Sequence, residues 1–214
     1  MTQPPSSPSP FADSAPARAV RAMTPAQRAA LPRRTAFVFV GRPCVDLAMT
    51  GGEDWLAVWE VLHEPADLGR WLAAGPLAVV DVRASAADLR AARALRTALT
   101  ATVEALLRGE LPPAEAIEAI DAAAAVAPLV PRVEPDSGRI GWLRPTARAA
   151  LSDVARDALA LIADRAQWRR LRVCASDDCG LVFYDASRPG RRRWCSDERC
   201  GDRNRARAYR RRKG

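Results

Sequence analysis

Four of the five cysteines lie near the C-terminus, as Cys174-x4-Cys179 and Cys195-x4-Cys200, with 15 residues between the pairs. Each short loop can turn two sulfurs toward one point, which is the donor arrangement of a tetrahedral Zn2+ site. With four thiolates on the metal no position is left for water, so such a site would be structural rather than catalytic. A segment this small cannot build an apolar core of its own, and ligation energy would then serve as folding energy. Four thiolates also hold iron–sulfur clusters, and two disulfides are open to a chain in an oxidising compartment. No secretory leader pattern precedes the cysteines, and a reducing compartment favours zinc.

The elements that must position these thiols can be read from the residues between them. Residues 181–184 predict a short strand after the first cysteine loop, and Ser187-Arg188-Pro189-Gly190 predicts a turn. Residues 191–194 then return as a second strand that delivers Cys195, and Ser196 caps a helix running through Cys200 to about residue 212. Loop, hairpin and a helix carrying the last ligand make a treble-clef-like finger.

Three pieces of this segment resemble the CGNR zinc finger of bacterial transcription regulators. They are Phe183-Tyr184-Asp185-Ala186-Ser187, Arg193-Trp194-Cys195-Ser196 and Cys200-Gly201-Asp202-Arg203, the last with Asp202 where the family has Asn. Further upstream, Val45-Asp46-Leu47 and Thr50 resemble the opening of the ABATE domain that precedes such fingers, with Met49 at the place of an Asn. The resemblance implies a transcription regulator whose upstream domain senses a small-molecule effector or a stress signal.

Charge points the same way. The 214 residues carry 33 Lys+Arg against 25 Asp+Glu, a net +8, yet 16 of the basic and only six of the acidic residues lie from Arg165 onward. The remainder is slightly acidic, so the excess belongs to the C-terminal end and marks a polyanion-binding module. Arg191, Arg192, Arg193, Arg203, Arg205, Arg207, Arg210, Arg211, Arg212 and Lys213 are the candidates to meet phosphates. Arg203, Arg207 and Arg210 share one face of a helix, and Arg205 and Arg212 a flanking one. Tyr209 is the sole aromatic residue there, which favours duplex DNA over stacked single strands. Two other readings stand beside this one: an RNA-binding protein, and a zinc-stabilised adaptor that contacts acidic protein surfaces. No phosphate loop, nucleotide-binding glycine fingerprint, nucleophile elbow or paired-histidine motif is present, so the expectation is a non-enzyme. No apolar stretch is long enough to span a membrane, and the expected place is the cytoplasm, at the nucleoid.

The rest of the chain predicts an α+β class that is mainly helical, a helical N-terminal domain with a few short strands followed by the small finger. Residues 1–34 read as a disordered Pro/Ser/Ala-rich leader, 35–172 as the ABATE-like domain and 173–214 as the finger. Residues 37–40 predict a short strand. Gly75 ends a helix over 67–74, and Ser85-x-x-Asp88 is a capping box opening a helix to about residue 108. Pro112-Pro113 starts another, to about residue 125. Pro135-Asp136-Ser137-Gly138 turns a hairpin, and Thr146 caps a helix to about residue 171. No Pro/Gly/Ser run follows it, so no hinge is expected before Cys174. Trp55, Trp59 and Trp71 read as core rather than as a cofactor pocket, Cys44 as a small buried hydrophobe, and His63 as a loop residue.

Overall fold

The structure, a computed structural model, describes residues 15–31 and 33–213. Order begins earlier than the composition of the leader suggests. Helix α1 (Ala15–Arg21) packs on a 3-10 turn at Asp54–Trp59 and buries Ala17 and Val20 completely. Helix α2 (Pro25–Ala29) is opened by a reciprocal capping box between Thr24 and Gln27. The expected disordered leader is therefore corrected over 15–31, while 1–14 lie outside the described residues. Two buried apolar side chains three apart outweigh the prolines around them.

Residues 37–40 are extended but form no strand, contrary to the expectation. The reason is a competing acceptor. The N–H of Val40 donates to the carboxylate of Asp46 instead of to a neighbouring strand. Asp46 lies in α3 (Pro43–Ala48), a short helix buried from Cys44 to Ala48 and wedged against the larger helices. Helix α4 (Pro65–Ala74) ends at Gly75, and α5 (Ala86–Leu107) opens on the capping box of Ser85 and Asp88. Its stripe of Leu89, Ala92, Leu95, Leu99, Val103 and Leu106 is buried. Helix α6 (Ala114–Ala124) packs on α5, and strands β1 (Pro131–Val133) and β2 (Ile140–Trp142) form an antiparallel hairpin. Helix α7 (Ala147–Ala163) is capped by Thr146 and packs on α6, α5 and α3.

Helix α7 stops eight residues before the expected end. Asp164 leaves the helical region at φ −105°, ψ 89°, and its carboxylate accepts the N–H of Ala166, which starts the single turn α8 (Arg165–Trp168). Residues Leu171–Val173 then form β3, which pairs antiparallel with β4 (Val182–Tyr184) in the register Leu171↔Tyr184, Arg172↔Phe183 and Val173↔Val182. The expected strand over 191–194 is absent among the described residues, because the N–H of Arg192 donates to the Asp185 carboxylate. The hairpin of the finger is thus β3–β4, and the division anticipated after Arg172 falls inside β3. Ser196 caps a π-helical turn at Asp197–Gly201 that runs into α9 (Asp202–Lys213).

Helical part and finger share one apolar core. Leu181, Val182 and Phe183 are fully buried in the same cluster as Leu47, Leu99 and Leu161. The finger therefore does not rely on a metal alone for its interior. Trp59 and Trp71 belong to this core, as expected.

Candidate metal centre and basic face

Cys174 directly follows β3, and its N–H donates to Leu181 O at 2.9 Å, while Cys179 N–H donates to Ser176 O at 3.0 Å and closes the first loop. Cys195 follows the irregular stretch held by Asp185, and Cys200 sits in the π-helical turn. All four thiols are buried, and their sulfurs lie within 4.8 Å of one another. Cys179 Sγ is 3.6 Å from Cys195 Sγ, which is 3.7 Å from Cys200 Sγ. Four sulfurs each about 2.3 Å from one Zn2+ stand about 3.8 Å apart in a tetrahedron, so the set fits one structural zinc. A disulfide requires about 2.05 Å, and all five cysteines are free thiols. A multi-iron cluster would distribute the thiolates over several irons and separate some pairs further.

The electrostatics of the set agree with a cation between the sulfurs. Hydrogen bonds from Cys179 and then Cys195 pull the Cys174 thiol down to about 2. Its hydrogen bond to Cys174 pushes Cys195 up to about 12, and Cys179 is driven up by its bonds to Cys174 and Cys195. One thiolate is thus favoured and the next ones are opposed by it, a conflict a divalent cation removes. Outside the sulfurs, Cys195 N–H donates to Cys174 Sγ at 3.4 Å and Arg203 Nη2 to Cys200 Sγ at 3.3 Å.

The same segment, residues 170–213, matches the CGNR zinc finger, and residues 41–165 match ABATE, described as "Putative stress-induced transcription regulator". The chain belongs to the ABATE family. No curated protein matches it.

In this ABATE-family chain the ten basic candidates divide into two groups. Arg192 donates through Nη2 to Cys195 O at 3.0 Å and lies over the Phe183 ring. Arg203 and Arg207 both reach Asp178 Oδ2, at 3.4 and 2.9 Å. Arg205 pairs with Asp202 at 2.7 Å, so the acid that replaces the family Asn is matched by a neighbour one turn on. Arg191, Arg193, Arg210, Arg211, Arg212 and Lys213 are exposed and have no carboxylate partner among the described residues. The shared helix face expected for Arg203, Arg207 and Arg210 is therefore divided: its first two members reach Asp178, and Arg210 has no carboxylate partner among the described residues.

Several positioning residues escaped the sequence reading. Asp185 is fully buried and accepts from Ser187 N, Ser187 Oγ and Arg192 N. Burial works against its charge, but these donors win and hold it below the usual carboxylate range. The Asp-x-Ser spacing was the available signal for this turn. Asn204 Nδ2 donates to Ser176 Oγ and Cys200 O, both at 2.7 Å, tying α9 to the first cysteine loop. Nothing in its spacing announced that role. Arg34, Trp59 and Arg199 also meet near the finger: the two guanidinium carbons lie 4.4 and 5.5 Å from the centroid of the Trp59 ring. His63, a half-buried residue, places its ring nitrogen 3.2 Å from Arg34 O. Burial first, and the Arg199 charge second, lower the Arg34 guanidinium from its ordinary value.

Proposed function

We propose that this zinc-containing ABATE-family chain is a DNA-binding transcription regulator, with Zn2+ held by Cys174, Cys179, Cys195 and Cys200. The observation that carries the reading is the set of six exposed cations without a carboxylate partner among the described residues, Arg191, Arg193, Arg210, Arg211, Arg212 and Lys213. Arg203 and Arg207 already share the Asp178 carboxylate, so these six are the readiest to meet the duplex backbone, where phosphate contacts position a protein. The cysteine cluster holds the start of α9, and the helix extends from it with no buried residue of its own. On this reading the chain acts in the cytoplasm at the nucleoid. The described residues contain no helix long and apolar enough to cross a membrane. The upstream domain then sets when the regulator binds.

Fluorescence anisotropy of the zinc-loaded full chain with duplex DNA across a salt series tests this. The expected log K falls linearly with log salt, at about −0.9 per neutralised phosphate. Sequencing of cross-linked DNA should recover particular promoters. Recovery of RNA instead, or of no nucleic acid with capture of acidic protein, overturns the assignment.

A further inference from the structure

We propose that a second site, a small-anion pocket, lies at the junction of the finger and the upstream domain, with Arg34 and Arg199 clamping an oxyanion at the N–H edge of Trp59. A cavity of about 260 Å³ opens there, and its walls come from both parts of the chain. Arg34, Phe37 and Trp59 come from the upstream side, with Met49 at the end of α3, and Arg199 and Arg203 from the finger.

Three observations point to a bound anion. The first is charge. Asp178 is the sole acid among the lining residues, and Arg203 and Arg207 already pair with it. Arg34 and Arg199 are left as two like charges beside one ring, and neither has a carboxylate partner among the described residues. Two guanidiniums held together in this way repel each other, and an oxyanion between them turns that repulsion into paired charge-assisted hydrogen bonds. The second is an unsatisfied donor. Trp59 is 6 % exposed, and its indole Nε1 is buried without a hydrogen-bond partner. Trp59 lines the cavity, and a native buried N–H without a partner calls for one, which an anion lying in the plane of the ring would supply. The third is support. His63 fixes the backbone of Arg34, so the upstream cation is held from behind rather than carried on a free chain.

The ligand class follows from the lining. Two cations and one N–H call for a phosphate or carboxylate group, and Phe37, Val38, Met49 and Val61 offer an apolar wall to the remainder. The volume falls below the roughly 300–1,000 Å³ that encloses drug-sized ligands, so the ligand is small. Because Arg34 lies on the stretch that leads into the upstream domain and rests on its Trp59, and Arg199 belongs to the turn that carries Cys200, such a ligand bridges the two. It would therefore bias the placement of the basic helix. This is the physical form that effector control would take here.

The test uses the zinc-loaded full chain, with inorganic phosphate as one probe and succinate as the other, each titrated at constant ionic strength against chloride. Calorimetry is expected to give saturable binding with one site per chain, and the stronger probe identifies the oxyanion. Arg34→Gln and Arg199→Gln should each weaken it by about tenfold or more, as loss of a charge-assisted pair does. Trp59→Phe keeps the ring and removes the N–H, and should weaken binding while zinc content stays at one per chain. Arg139→Gln, on the remote hairpin turn, should change nothing. Absence of saturation by either probe overturns the proposal, as does undiminished binding by Arg34→Gln and Arg199→Gln. An Arg34→Gln protein that loses zinc but binds phosphate as before would also overturn it, since Arg34 would then serve the thiolate charge. No nucleic acid enters this measurement, so its outcome is separate from that of the DNA-binding reading.

Discussion

Tyr184 in β4 donates its backbone N–H to the carbonyl of Val40 at 2.8 Å, and this bond fastens the finger to the upstream domain. Around it, Val182 N–H points at Met49 Sδ at 3.3 Å, and Tyr184 Oη donates to Gln167 Oε1 at 3.0 Å. Arg42 binds Asp157 at 2.8 Å and lies over the Tyr184 ring.

This seam is tight at Gly41. Its φ is +104°, and a Cβ there would stand 2.5 Å from the Tyr184 carbonyl oxygen. Gly41→Ala is expected to lower stability by about 1–3 kcal/mol, from strain and a backbone clash together. Chemical denaturation followed by far-UV signal should show one transition moved to lower denaturant. A finger that loosens while the helices keep their midpoint would contradict a shared seam.

Metal removal should be felt beyond the finger. Ligation supplies on the order of 10 kcal/mol in structural zinc sites. Because Leu181, Val182 and Phe183 complete the common core, Cys195→Ser or chelation should lower the melting temperature of the whole chain. Differential scanning calorimetry with and without zinc decides this, and an unchanged helical transition would show that the two parts fold apart.

Asp46 gives the stability a pH dependence. Burial raises its carboxyl to about 7 against an ordinary 3.8, in spite of hydrogen bonds from Val40, Gly41 and Arg42. The folded chain therefore holds this proton where the unfolded chain has released it. Its contribution is complete below the unfolded value and is lost as pH rises through the folded one. Stability should fall between about pH 4 and 7, a window above the titration of Asp67, Asp88, Asp178 and Asp185, all held low. Asp46→Asn should flatten that slope, and an unaltered slope in the variant would assign the titration elsewhere.

The two groups of arginines should separate in DNA binding. Arg211→Ala is expected to weaken binding to all duplexes alike and to make the salt slope shallower by about one unit. Arg207→Ala leaves Asp178 with one cation fewer, and should lower the melting temperature more than it changes the slope. The reverse pattern, with Arg207 setting the slope, would return that residue to the phosphate contacts.

Much of the helical part was legible in the residues. The capping box at Ser85, the stop at Gly75 and the hairpin turn at Gly138 are local signals, and local hydrogen bonds decide such features. The four thiols were legible for a related reason, since donor type and spacing are written in the chain. What was not legible depends on side chains that intercept backbone donors. Asp46 and Asp185 each take an N–H that a strand would have used, and Asp164 ends α7 early. None of these three acids differs in type from the solvated ones on the helix faces. The partner of β4 differs from the expected one because β3 lies before the cysteines and begins at Leu171, where the expected helix ends. The meeting of Arg34 with Arg199 across the fold leaves no trace at any spacing.

The antiparallel pairing of β3 with β4 bears on how such chains diversify. A finger whose first strand is also the last stretch of the upstream unit is not an interchangeable cassette. Exchange between relatives at a cut after Arg172 would graft β4 onto a foreign edge and replace the residue facing Met49. On the proposed reading, new DNA preferences would be gained more readily by substitution along α9, where no side chain is buried, than by shuffling of the finger as a unit.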